Sequence, residues 1–308
     1  MSSDSPKAVD QYHALREGRG FVELADWSSL TVAGADRQSF LHNFCTNDVR
    51  RLTPDQSCEA FFTSVKGKLL GYGLVTCREN ELVFITVPRQ APSLLEHLDR
   101  YVIREDVSLR DSTAERCYVL LSDDVAHDAT TTWLQWDLIG RSTSGLVETA
   151  PHELAHVRER LLERGAIRCD RVAFETLRIE AGMPLYGIDF NDANLPQEIG
   201  RDKLAISFTK GCYLGQETVA RIDALGHVNQ RLTGVQFAGA DVPQAGAELT
   251  HEGRAAGHVT SATFSPRLGV PVALAMLRRE ALTPGTELIS TIGMARVVAL
   301  PLRDTCAT

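Results

Sequence analysis

The sequence predicts an α+β protein: a mixed α/β region followed by a small all-β unit. Three observations carry this. Up to about residue 226, strand-like runs alternate with amphipathic helical stripes. After about His227 only short alternating runs remain, separated by Gly and Pro, which is the pattern of a barrel or sandwich. The 308 residues are 44% hydrophobic, 23% charged and 6% aromatic, which suits a folded chain of about two or three domains rather than a disordered one.

In chain order, residues 1–20 are polar and read as a loosely tied leader. Ser29–Leu30–Thr31–Val32 reads as a strand. Asp36 is placed as an N-cap for a helix whose buried stripe is Phe40, Leu41, Phe44 and Cys45, ended by the turn Thr46–Asn47–Asp48. Strands follow near 59–64, 69–77 and 81–87, with Arg78–Glu79–Asn80 as a hairpin loop. Leu94, Leu95, Leu98 and Val102 mark a second helix, and 117–121 another strand. Residues 122–150, with Trp133 and Trp136, give no readable pattern and are taken as an irregular connection. Pro151 opens a helix with Leu154, Val157, Leu161 and Leu162 on one face. A further helix spans 171–181 and stops at Gly182–Met183–Pro184. Residues 182–213 are rich in Gly, Pro, Asn and Asp, and a loop that long in a compact protein is usually functional. Five strands are read in the last part: 232–237, 248–250, 255–263, 272–277 and 294–299.

The net charge of −8 argues against non-specific nucleic-acid binding. No apolar run reaches the ~18 residues that span a bilayer. The opening MSSDSPKAVD has no apolar core of a secretory signal; it carries Asp4 and Asp10 and no Arg, unlike a transit peptide. The seven cysteines, 45, 58, 77, 117, 169, 212 and 306, are odd in number and form no C-x-x-C pair. This points to a reducing cytoplasm, with no disulfide framework and no zinc ribbon.

The most informative stretch is KGCYLGQETVAR, residues 210–221. Lys210, Gly211, Cys212 and Tyr213 are followed by Gly215 and a helix start, Gln216–Glu217–Thr218–Val219–Ala220–Arg221. A thiol just ahead of a helix N-terminus, with Lys210 and Arg221 adding positive charge, is expected to have a lowered pKa and an accessible thiolate. Cys212 is therefore the strongest candidate functional residue, against the ordinary reading of a cysteine as an inert buried thiol. In Leu195–Pro196–Gln197–Glu198, the Glu198 carboxylate is of the type that accepts an amidine-like N–H pair from a flat heterocycle such as a pterin. An isolated Glu is more commonly a surface or capping carboxylate.

Other motifs read more plainly. His152–Glu153–Leu154–Ala155–His156 is a literal H-E-x-x-H, the zincin pattern on a helix. It falls at the start of an amphipathic helix, so both imidazoles are expected in solvent and no metal site is assigned. Trp27, Trp133 and Trp136 are read as packing residues, with ligand stacking the alternative. Gly67–Lys68 with Gly71 and Gly73 has neither phosphate-loop nor dinucleotide spacing.

KGCYLGQE resembles the K-G-C-[FY]-x-G-Q-E signature of the YgfZ-type folate-binding proteins, relatives of the glycine-cleavage T-protein and of mitochondrial iron–sulfur assembly factors. The resemblance covers most of the chain. It includes Val32–Ala33–Gly34–Ala35–Asp36 with Thr46–Asn47–Asp48, Gly182–Met183–Pro184 with Gly187 and Asp189, Pro196–Gln197–Glu198, and Gly257–His258–Val259–Thr260–Ser261. It implies a T-protein-like fold: two interleaved mixed α/β subdomains in residues 1–226 around a central folate hole, and a C-terminal β-barrel in 227–308. It implies that Glu198 holds the pterin of tetrahydrofolate or a one-carbon derivative, with Cys212 beside the pocket. Lys210, Tyr213, Gln216, Glu217 and Arg221 would shape the loop and bind alongside.

One departure separates the branches. Aminomethyltransferases carry adjacent Asp residues where this chain has Lys66–Gly67–Lys68–Leu69–Leu70–Gly71–Tyr72, with no acid. The function implied is therefore a folate-binding accessory protein for iron–sulfur cluster assembly or repair, with client enzymes or assembly proteins as partners and a family link to tRNA modification. The alternative is a folate-dependent one-carbon transferase or demethylase with an acid drawn from elsewhere. Lys66 and Lys68 are either a solvated hairpin or a contact for the glutamate tail of folate.

Overall fold

The computed structural model describes residues 8–122 and 132–302. Residues 1–7 of the expected leader, residues 123–131 of the unread segment, and Cys306 lie outside them. Two five-stranded sheets and a closed six-stranded barrel, with helices packed between, give the α+β fold that the pattern predicts.

The chain enters one sheet, leaves for the other, and returns. Helix α1 (Ala8–Arg16) and strand β1 (Gly20–Glu23) come first. Then β2 (Ser28–Ala33), α2 (Arg37–His42), β3 (Ser57–Thr63), β4 (Leu69–Cys77), β5 (Glu81–Thr86), α3 (Ala91–Asp99) and β6 (Ser108–Asp111) build an antiparallel sheet of order β3-β4-β5-β2-β6. The chain returns with β7 (Cys117–Ser122), β8 (Thr132–Gln135), β9 (Ser144–Thr149), α4 (Leu154–Glu163) and β10 (Ile167–Arg168), giving the order β10-β1-β7-β9-β8. Within it β1 runs parallel to β10 and antiparallel to β7. Helix α5 (Arg171–Ala181) is N-capped by Asp170, whose carboxylate accepts from the Ala173 N–H, and ends on left-handed Gly182. Helix α6 (Asp202–Ala205) and α7 (Gln216–Leu225) precede the barrel.

The barrel is β11 (Gln230–Phe237), β12 (Glu248–His251), β13 (Arg254–Ser265), β14 (Val270–Arg278), β15 (Glu287–Ser290) and β16 (Gly293–Val298). The strands close in the order β11-β14-β13-β12-β15-β16, all antiparallel. Its interior holds Val235, Leu249, Val259, Leu277 and Val297 with small Ala256, Ala273, Ala275 and Ala295, the mixture of sizes that fills a narrow barrel.

The leader differs from expectation. Residues 8–16 are helical and bury Tyr12, Ala14 and Leu15, and the Tyr12 hydroxyl donates to Glu180 of α5 at 3.0 Å. Of its five apolar residues only Tyr12 and Leu15 are both large and buried, too few to show this period. The unread segment contains β8 and β9, and the barrel contains a strand, β15, that the pattern misses; each is short. Trp27 and Trp136 are core residues with rings edge-to-face at 5.6 Å, while Trp133 is half-buried. His152 sits in a 3-10 turn ahead of α4, and both His152 and His156 are exposed, so the H-E-x-x-H does not form one helical face. No helix among the described residues is long and apolar enough to cross a membrane.

The largest core cluster joins all three parts: Phe61 and Tyr72 from one sheet, Tyr118 and Leu120 from the other, Phe174 and Met183 around α5, and Leu232 and Met276 from the barrel. The segment from Gly182 to Gly215 runs through this junction. It is not an unstructured loop: it holds a 3-10 turn (Pro196–Glu198) and α6.

Candidate functional site

The loop bearing Cys212 is strapped to the turn that follows α2. Ser207 N–H donates to the Thr46 carbonyl at 3.0 Å, and Leu214 N–H to the Asn43 carbonyl at 2.8 Å. Between these ends Lys210 is buried, and its ammonium donates to the carbonyls of His42 (2.6 Å), Cys45 (2.7 Å) and Asn47 (2.8 Å). All three of its N–H bonds are thus used, on carbonyls of the end of α2 and the turn that follows it. Burial pushes the Lys210 ammonium below its usual range, and the Tyr213 ring lies 5.0 Å beneath it. Lys210 thus acts as a clamp for the loop.

Gly215 ends the loop and N-caps α7 with φ 84°. A Cβ there would stand 2.4 Å from the Ser64 carbonyl oxygen, so glycine is required for the hairpin at 64–67 to touch the helix start. Gln216 is half-buried at the first turn of α7; Glu217 and Arg221 are exposed on it. Cys212 is the exposed cysteine among the described residues. The other five are buried or half-buried, and burial pushes every one of their thiols up, Cys58 and Cys169 to about 12. Exposure thus singles out the thiol that the motif singled out.

Glu198 is 5% exposed. Its Oε2 accepts from Asn194 Nδ2 (2.9 Å), Leu195 N–H (3.2 Å) and, across to the barrel, Gln230 Nε2 (3.1 Å). Its Oε1 has no hydrogen-bond partner among the described residues. The neighbouring Gln197 donates to the Val219 carbonyl of α7 at 2.7 Å, and its own Oε1 is buried without a partner. Through Val219 the Glu198 turn touches the helix that the cysteine loop opens. Lys68 Nζ donates to the Ala193 carbonyl, tying the 64–68 hairpin to the same segment, while Lys66 is exposed.

Two further nodes use residues that the sequence leaves unmarked. Arg178 of α5, 1% exposed, donates from Nη1 to Asp189 Oδ2 at 2.9 Å and from Nη2 to Ser261 Oγ at 2.9 Å. Asp189 Oδ1 in turn accepts from the hydroxyls of Thr260 and Ser261. The loop aspartate and the Thr-Ser pair of the barrel, each a weak motif alone, thus meet in one buried network around the Arg178–Asp189 ion pair. Arg178 gave no signal because a basic residue near a helix C-terminus is ordinary.

The second node is Glu59, Tyr72 and Arg201. Arg201 grips both oxygens of Glu59, with Nε 3.1 Å from Oε2, and its Nε lies 3.0 Å from the Tyr72 oxygen. The Tyr72 hydroxyl donates to Glu59 Oε2 at 2.6 Å. In β3 Glu59 shares a face with buried Phe61, which pairs directly with Tyr72 of β4. An acid that alternates with a core Phe is the signal that would have found it. The strand 69–77 itself carries no acid, yet its neighbour brings a carboxylate to the Tyr72 hydroxyl.

With this geometry in place, the comparisons are specific. The structure superimposes on the crystal structure of glycine cleavage system aminomethyltransferase T from Bartonella henselae with a TM-score of 0.86, covering 96% of this chain and 90% of that one at 17% sequence identity. Residues 230–304 match the family model of the glycine cleavage T-protein C-terminal barrel domain. The fold is thus T-protein-like, with a C-terminal barrel of the T-protein kind. Among sequences, it is 27% identical over 305 residues to a chloroplastic protein of Arabidopsis thaliana with a provisional transferase name, covering 91% of this chain and 69% of that protein. It is 25% identical over 299 residues to an aminomethyltransferase of Nostoc sp., covering 86% of this chain and 78% of that one.

Proposed function

We propose that the protein is a tetrahydrofolate-binding accessory factor for iron–sulfur cluster assembly or repair, in which Glu198 holds the pterin and Cys212 is the reactive thiol. The observation that carries the reading is the divided carboxylate of Glu198. One oxygen is fixed by three protein donors, so the side chain has a single orientation; the other is left to accept from a ligand. Oε1 takes no donor from the described residues, and a ring N–H would supply one to a carboxylate already held in place. Bound tetrahydrofolate would supply a carrier for one-carbon groups. The chain's own part is to seat the ring on Glu198, to hold the 207–214 loop by Lys210, and to present Cys212 to solvent next to that seat. Tyr213, Gln216, Glu217 and Arg221 form the wall and charge of the same loop.

Calorimetric titration with tetrahydrofolate and with folinic acid tests this. The wild type binds; Glu198→Ala weakens binding about 10-fold or more, since a hydrogen bond to a charged group is worth roughly 1.5–3 kcal/mol. Cys212→Ala folds, binds folate as the wild type does, and loses function in cells lacking the native protein. Absence of folate binding by the wild type, or full rescue by Cys212→Ala, sinks the reading.

A one-carbon transferase is the second reading. It is favoured by the aminomethyltransferase relatives and by the carboxylate that Glu59 brings to Tyr72. Its weakness is that the Arg201 fork occupies Glu59, leaving that carboxylate few lone pairs for proton transfer. Methylene-tetrahydrofolate formed from a methylamine donor would establish it in place of the first.

A further inference from the structure

Where the C-terminal end of α5 meets the barrel there is a cleft of ≈ 400 Å³, within the size range of small-molecule sites. Ile199, Leu232 and Leu300 give it apolar walls, and Arg201 and Arg231 bring two guanidinium groups to it. Arg201 is fixed in place: Nε and Nη2 are spent on Glu59, and Nη1 has no hydrogen-bond partner among the described residues. Arg231 is half-exposed, and its closest carboxylate oxygen, Asp202 Oδ2, is 3.7 Å from Nη2, beyond hydrogen-bond length. Burial pushes the Asp202 carboxyl above its usual range, and its other oxygen, Oδ1, is buried without a partner. Gly200, at φ 79°, keeps the wall beside Arg231 free of a side chain.

This cleft adjoins the seat at Glu198: Ile199, Gly200 and Arg201 line it, while Glu198 and Gln230 are not part of its lining.

We infer that the cleft binds a small monocarboxylate with an apolar body, its carboxylate received by Arg231 and the open Nη1 of Arg201. The guanidinium fork matches a planar carboxylate, and the apolar walls take the rest. Charge selects the class: Glu59 answers the charge of Arg201, which leaves Arg231, not hydrogen-bonded to Asp202, as the charge to be met, and a monoanion meets it where a dianionic phosphate exceeds it.

Phenylacetate and its neutral isostere phenylacetamide, titrated calorimetrically into the whole protein, make the test. The acid binds saturably at one site and the amide about 10-fold or more weakly. Arg231→Ala, an exposed change outside the core, lowers phenylacetate affinity by a similar factor while leaving tetrahydrofolate titrations unchanged. Glu198→Ala has no effect on phenylacetate, so failure of the folate reading and failure of this one are told apart. Equal binding of acid and amide, no saturable binding, insensitivity to Arg231→Ala, or competition by tetrahydrofolate or by inorganic phosphate each overturns the inference.

Discussion

The signature lysine serves geometry. Lys210 was expected to add field at Cys212; its three donors go instead to the His42, Cys45 and Asn47 carbonyls, which no sequence pattern reveals because backbone acceptors are invisible in it. The turn from the Cys212 loop into α7 was legible, since Gly215 and the helix start lie within a few residues. The same strap buries His42, 3% exposed, with Nδ1 3.3 Å from Asp48 Oδ1. Burial, then the charges of Lys210 and Arg50, hold its imidazole below the ordinary 6.5, and Asp48 opposes them only in part; Arg51 draws on the other oxygen of Asp48. The folded state therefore prefers neutral His42, while the unfolded chain takes up its proton as pH falls through about 6.5. The stability linked to this ring is complete above that value and is lost toward the lower folded-state value. Melting temperature should fall between about pH 7.5 and 5.5, and His42→Gln should flatten the slope. Some slope will persist, because burial lowers His97 in the same sense. An unchanged slope in His42→Gln would remove His42 as its source.

At the scale of elements, legibility followed length and apolar content. Helix α5 was read to its ends from the stop at Gly182, and the structure adds the Asp170 cap at its start. The barrel strands were read wherever several alternations occur; β15, with Leu288 and Ile289 alone, was not. Helix α1 escaped because its burial depends on α5, more than 150 residues later, through Tyr12 and Glu180. The 182–213 stretch was read as functional from its length, yet it is ordered by groups distant in sequence, among them the Thr46 carbonyl and the Gln230 side chain. The contact between the 64–67 hairpin and α7 is the tightest consequence. Gly215→Ala must place a Cβ against the Ser64 carbonyl at positive φ, and should cost about 1–3 kcal/mol in denaturant unfolding. Because the loop ends there, alkylation of Cys212 should also change rate; a variant with wild-type stability and reactivity would show that the hairpin yields freely.

For the whole molecule, the decisive element is the buried pair Arg178–Asp189, which with Ser261 and Thr260 ties α5, the 182–215 segment and the barrel. Breaking one side of such a pair leaves the other charge buried and typically costs about 3–5 kcal/mol, here toward the lower figure because Arg178 keeps Glu175 at 2.6 Å. Asp189→Ala should lose about that much, and calorimetry should show the barrel melting apart from the rest, where the wild type melts in a single transition. One transition at wild-type temperature would refute this coupling. The hydroxyls that meet Asp189 are consecutive, although successive residues of a regular strand point to opposite faces. They can share a target because the register of β13 against β14 slips by one between Val259 and Ser261. The information that joins the barrel to the body is thus written partly in chain length: every residue of β13 could keep its identity, and losing a single position at this slip would still send one hydroxyl to the wrong face.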